Sequence, residues 1–230
     1  MTSHSLTITL SSQTLDELKQ GGFTLYAFLP VQCSNRTGVP LVWQRIDQYL
    51  GRIPVDFPAA LSAYASTSTI APNAAVEPDS VSAVKPGQLV TFSGSAWTLS
   101  TAGLAPDVVG IVSAAAQSFG CGLAADQVPF CAFTLLAGAL VPITPIKAIC
   151  LMFATSDYDA GVYMVNALGP TMLVTLADGV ERQVAYDVAT GWSPTGVDWA
   201  MVANAGTSLK DLLLLRPGTN EPSRLVTRFP

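Results

Sequence analysis

The 230 residues include 11 basic and 16 acidic side chains, a net charge of −5, with 12% charged against 50% apolar residues. Lacking clustered Lys and Arg, the chain has no electrostatic footprint for nucleic acid, nor for an anionic membrane held by charge alone. Its apolar content also excludes a disordered chain, and its length suits one large β domain or two small ones.

Leu6 to Leu10, "LTITL", alternates apolar and polar residues and predicts a strand. "SSQTLDELKQGG" follows with Ser or Thr as N-cap, Asp16 and Glu17 in the first turn, Lys19 late and Gly21-Gly22 as a stop; it predicts a short helix. "FTLYAFLPVQC" and "VPLVWQRI", separated by "SNRTG", read as a hairpin in which Pro30 and Pro40 mark edges or bulges. From Asp56 to Pro86 the text is rich in Ala, Ser, Thr and Pro, which predicts a short helix or turn over residues 59–65 and then a loop.

Strand signals resume at "QLVTFSGSAWTLSTAG", with Ser93-Gly94-Ser95 as a hairpin tip. They continue through "DVVGIVSA", "SFGCGLA", "FCAFTLL", "KAICLMFAT", "GVYMVNA", "VDWAMVA", "DLLLL" and "RLVTRF". Within "TMLVTLADGVERQVAYDV" the Asp178-Gly179 pair is the strongest hairpin turn signal in the chain. Twenty consecutive uncharged residues lie between Asp126 and Lys147, yet Gly138, Pro142 and Pro145 break any spanning helix. This tract divides at "VPITP" into two strands around a Pro-rich turn, each covered on both faces.

Many short strands and one convincing helix predict an all-β, mainly antiparallel sandwich or barrel with a short N-terminal helix. A single β-rich domain over 1–230 accommodates this, with a seam allowed at 56–86 between an N-terminal portion (1–55) and a sandwich portion (87–230). The first residues lack a basic region followed by a long apolar one, so the expected location is cytoplasmic, or outside by leaderless export.

Catalytic motifs fail on inspection. Gly120-x-Gly122-x-x-Ala125 has the dinucleotide spacing, but Pro129 stops the helix that would receive the pyrophosphate. Ser82-x-x-Lys85 runs straight into Pro86, and a Ser-His-Asp or Cys-His device would have to draw its base from the single histidine, His4, in the N-terminal tail. Cys33, Cys121, Cys131 and Cys150 have no metal-ligand spacing, so no metal and no cofactor are expected; a Cys121–Cys131 bridge stays open. Candidate binding residues are Asp157, Tyr158 and Asp159 of "SDYDAG", whose acids could share a cation or flank a ligand. Trp192 and Trp199 around "GWSPTG" could form an aromatic floor for a sugar or a lipid headgroup.

Across Val108 to Ala167, "DVVGIVSAAAQSFGCGLA" and then "AICLMFATSDYDAGVYMVNA" resemble actinoporin-like cytolysins over about a quarter of the chain. That resemblance implies a β-sandwich with membrane-facing aromatics, with Tyr158 and Tyr163 at the headgroup-contacting positions.

The expected function is therefore non-enzymatic: a binding or self-assembling β-sandwich with a large apolar contact surface. It is motivated by the uncharged runs Phe57 to Val76, Gln88 to Pro106 and Val108 to Ala125. A homo-oligomer and a lipid or carbohydrate ligand are the partners expected. The alternatives are a membrane-acting, lipid-recognising module and an enzyme using carboxylates or tyrosines in a sandwich pocket.

Overall fold

The computed structural model describes residues 5–101 and 103–217. Their strands form four sheets that face one another in pairs, giving two β-sandwiches. In the first, a sheet ordered Gly191–Ser193, Arg182–Asp187, Ser5–Thr9, Arg52–Asp56 packs on one ordered Ala200–Ala203, Thr171–Thr175, Ala148–Ala154, Thr24–Phe28, Gln44–Ile46. Phe153 meets Tyr186 and Trp192 across that interface, with ring centroids 4.8 and 5.7 Å apart.

In the second sandwich a sheet ordered Trp97–Ser100, Leu89–Phe92, Val109–Ser113, Leu140–Pro145, Val31–Cys33, Leu214–Leu215 faces another. The facing sheet is ordered Val39–Pro40, Cys131–Leu135, Phe119–Ala125, Leu61–Ser66, Ser80–Val84. Phe92 and Phe119 touch across it at 4.9 Å. Among the described residues three pairings are parallel, Ser5–Thr9 with Arg182–Asp187, Leu89–Phe92 with Val109–Ser113, and Val31–Cys33 with Leu214–Leu215. The others are antiparallel.

One ribbon of two strands runs through both sandwiches. Thr24–Phe28 pairs with Ala148–Ala154 in the first, and Val31–Cys33 pairs with Leu140–Pro145 in the second. The crossing falls at Leu29-Pro30 on one strand and Ile146-Lys147 on the other, where the Ile146 N–H donates to the Pro30 carbonyl at 3.1 Å. Proline suits such a place because it removes a ladder donor where the chain changes sheet. Pro30 thus lies between strands.

The oiliest tract is explained by its neighbours. Every residue of Ala148–Ala154 is buried. Ile149, Leu151 and Phe153 face the main core between the sheets, while Cys150 and Met152 face Met164, Ala167, Leu209, Leu212 and Leu213 behind. Phe119–Ala125 is covered in the same way, with Ala124 packed beside Tyr64, Leu41 and Val76 on its outer side. A strand buried on both faces shows no alternation, whereas Arg52–Asp56 of an outer sheet reads exposed, buried, exposed, buried, exposed. No helix among the described residues is long and apolar enough to cross a membrane.

The helix Ser12–Gln20 is capped by Ser11, whose Oγ accepts the Thr14 N–H, so Asp16 and Glu17 lie beyond the first turn. Several local readings are corrected. "VPITP" is strand, part of Leu140–Pro145, and the turn precedes it at 137–138. Residues 59–65 hold no helix: Leu61–Ser66 is a strand paired with Ser80–Val84, because Ala63 and Ala65 fill a tight core and packing overrides alanine's helix preference. Asp178-Gly179 links two sheets, since Thr171–Thr175 is already paired on both sides and cannot take Arg182–Asp187 as partner. "GVYMVNA" forms only isolated bridges, Leu41 to Tyr163, Ala75 to Val162 and Asn166 to Ser208. "DLLLL" contributes to a second helix, Leu209–Leu213, with Ser208 as cap and Leu209, Leu212 and Leu213 turned inward. "RLVTRF" and His4 lie outside the described residues.

Candidate functional site

The segment 155–170 is a strap laid over the outer faces of both inner sheets. Met164 and Ala167 cover one face and Tyr163 the other. Tyr26, fully buried, anchors its start: its hydroxyl donates to the Ser156 carbonyl and accepts the Tyr158 N–H at 3.1 Å. The next residues are consequently held at a fixed place.

Asp157 and Asp159 both face the guanidinium of Arg45, on the edge strand Gln44–Ile46. Nη2 lies 2.6 Å from Asp157 Oδ1, Nη1 lies 3.0 Å from Asp159 Oδ1, and Asp47 Oδ2 stands 3.8 Å from Nη2. Both strap carboxylates are largely exposed, while Arg45 Nε is buried without a hydrogen-bond partner. Desolvation disfavours the guanidinium charge, and the facing Asp157 and Asp159 outweigh it, so the Arg45 pKa is raised. A guanidinium ringed by acids has neither nucleophile nor proton to exchange near neutrality, so this arrangement latches the strap to the sheet edge.

Tyr158 and Tyr163 are half-buried and both meet the loop 71–76. The Tyr158 hydroxyl donates to Asn73 Oδ1 at 3.0 Å, and the Asn73 N–H donates to the Tyr163 carbonyl at 2.9 Å. Asn73 adopts φ 62°, a left-handed conformation that asparagine tolerates. Trp192 is buried on Phe153 and Tyr186 and gives its N–H to the Pro170 carbonyl at 2.8 Å. Trp199 is half-buried beneath the Arg182 guanidinium, 4.6 Å from the ring centroid. Trp192 therefore offers no face to a ligand. Arg45 is the residue the sequence reading missed; the one signal was a lone charge within Gly38 to Ile46.

All four cysteines are free and buried, so Cys121 and Cys131 are not bridged. Burial raises each thiol pKa, to about 12 for Cys150. Two results are expected. A water-soluble aromatic disulfide reagent should titrate no thiol of the folded chain at pH 8 and four after denaturation; fast labelling of any native thiol would contradict this burial. Because the unfolded thiols lose their protons from about pH 9 while the buried ones retain theirs, stability should also fall as pH rises above that value.

Comparison with protein-family models, curated proteins and solved structures found no match for the chain.

Two surface features remain. First, the edge strands Ser80–Val84 and Trp97–Ser100 lie side by side on one flank of the second sandwich, linked by the Trp97 N–H donating to Ser80 Oγ at 2.8 Å. Second, an open groove of about 690 Å³ runs along the waist between the sandwiches, where the chain passes from Asp56 into Leu61 and from Pro145 to Lys147. Phe57, Pro58, Leu61, Val84, Leu99 and Pro145 supply its apolar lining. Among the described residues no three His, Cys, Asp or Glu side chains stand together as a metal site.

Proposed function

We propose that this is a non-enzymatic, self-assembling β-sandwich protein whose contacts are made through the flank of Ser80–Val84 and Trp97–Ser100. The supporting observation is the unprotected state of those two edges. A free edge strand is a template for pairing with another chain, and proteins that remain monomeric blunt such edges with charge or proline. Arg52, Pro54 and Asp56 do so on one edge, Arg45 on a second and Pro40 on a third. Ser80–Val84 and Trp97–Ser100 contain no charge and no proline, and they expose Val81 and Leu99 at 48% and 49%. Gly191–Ser193, Ala200–Ala203 and Leu214–Leu215 also end their sheets without charge or proline, but Ser80–Val84 and Trp97–Ser100 are tied together by the Trp97 indole N–H on Ser80 Oγ and present a doubled edge.

A second copy can pair strand to strand there, burying apolar side chains along with main-chain donors and acceptors. Catalysis has less support: the carboxylates of "SDYDAG" are engaged with Arg45, and the thiols are buried and protonated. Sedimentation velocity at micromolar concentration is the test. A species larger than 24.0 kDa is expected, returning to monomer in Val81→Lys/Thr98→Lys; a strictly monomeric chain would overturn the reading.

A further inference from the structure

We infer that the waist groove is a binding site for a single-chain amphiphile, an acyl chain carrying an anionic head such as a carboxylate. Its volume of about 690 Å³ falls in the range of small-molecule sites, which are concave, mostly apolar and often placed between domains. The floor is built from parts distant in sequence. Phe57 and Leu61 are partly buried against the main core, Val84 closes one side, and Leu99 overhangs from the neighbouring sheet. Polar groups are few and stand at the rim, as orientation of an amphiphile requires: Lys85, Gln88 and Lys147.

Charge complementarity sets the sign of the head. The chain has five more acids than bases, yet two of its eleven basic residues line this groove and no Asp or Glu does. Lys147 is paired with Asp178 at 2.7 Å, while the Lys85 ammonium has no ionic partner among the described residues. Gln88 Oε1 is fixed on the Lys85 N–H at 2.8 Å, which leaves its amide NH₂ as a second donor toward the same rim. A carboxylate placed there accepts from Lys85 while its alkyl chain covers Leu61, Phe57 and Leu99, removing exposed apolar area from water. A neutral alcohol of equal length gains the burial and not the ion pair.

The groove shares Ala83, Val84 and Leu99 with the strands of the proposed contact flank, while Val81 and Thr98 lie outside its lining, so substitutions at those two positions tell the site from the assembly. Calorimetric titration of the full chain with decanoate, below its micelle concentration, is the test, with decanol as the neutral probe. Saturable binding of one decanoate per chain is expected, and stronger than that of decanol. Lys85→Met should weaken decanoate about fivefold, the size an exposed ion pair gives, and leave decanol unchanged. Ala60→Trp, at an exposed position of the groove lip, should abolish both while circular dichroism stays that of the parent. The same profile in Val81→Lys/Thr98→Lys separates this site from self-association. Absence of saturable binding, binding indifferent to Ala60→Trp, or capture by phosphatidylserine vesicles without binding of free decanoate would each overturn the proposal.

Discussion

Replacing Gly122 by alanine is expected to cost more than about 3 kcal/mol of stability, lowering the thermal midpoint by roughly 6–12 °C. Gly122 lies in the middle of Phe119–Ala125, the central strand of its sheet, where the chain crosses the Cys131 carbonyl. A Cβ there would stand 1.9 Å from the Cys131 oxygen and 2.9 Å from a ring carbon of Tyr64. The same oxygen accepts the buried Tyr64 hydroxyl at 2.9 Å, so it cannot turn aside without stranding a polar group in the core. Backbone must move on one strand or the other. Thermal unfolding followed by circular dichroism checks this, and a midpoint within about 2 °C of the parent would show that the crossing yields easily. Gly122, the second glycine of the nucleotide-like spacing, is thereby accounted for by close packing.

Phe153→Ala is expected to cost about 3–5 kcal/mol. The Phe153 ring is buried and touches aromatics from three directions: Tyr49 at 5.6 Å edge-on, Tyr186 at 4.8 Å and Trp192 at 5.7 Å. Removing it opens a cavity in the contact between the two sheets of the first sandwich, and the surrounding rings are too well held to refill it. Tyr49 gives its hydroxyl to the Phe23 carbonyl and Trp192 its N–H to Pro170. Denaturant titration should show the midpoint falling with an unchanged slope. A loss below about 1 kcal/mol would mean that the rings collapse into the space.

Local pattern made part of this architecture readable. Leu6 to Leu10 alternates because Leu6, Ile8 and Leu10 pack into the core while Thr7 and Thr9 lie on the other face with their hydroxyls on Glu181 and the Val184 carbonyl, and Ser93-Gly94-Ser95 turns a hairpin with Gly94 at φ 99°. Partner choice was not readable. Nothing near Pro30 announces that the strand before it pairs in one sandwich and the strand after it in the other, since the pairing residues are more than a hundred positions away. The Asp178-Gly179 turn was legible as a turn, while its joining of two sheets depended on Ala200–Ala203 occupying the free side of Thr171–Thr175. Asp157 and Asp159 could be picked out as a pair of acids, but their cation comes from 114 residues earlier in the case of Asp159. The groove is invisible for the same reason, being assembled from residues 57–61, 83–88, 99 and 145–147.

The continuous ribbon at Pro30 and Ile146 acts as an axle through both halves of the molecule. Two lobes threaded on a shared pair of strands cannot swing apart as lobes on a linker do, and no single cut in the sequence yields either one intact. The open groove at the waist is therefore walled by parts that keep one spacing, and whatever enters meets a gauge of nearly constant width.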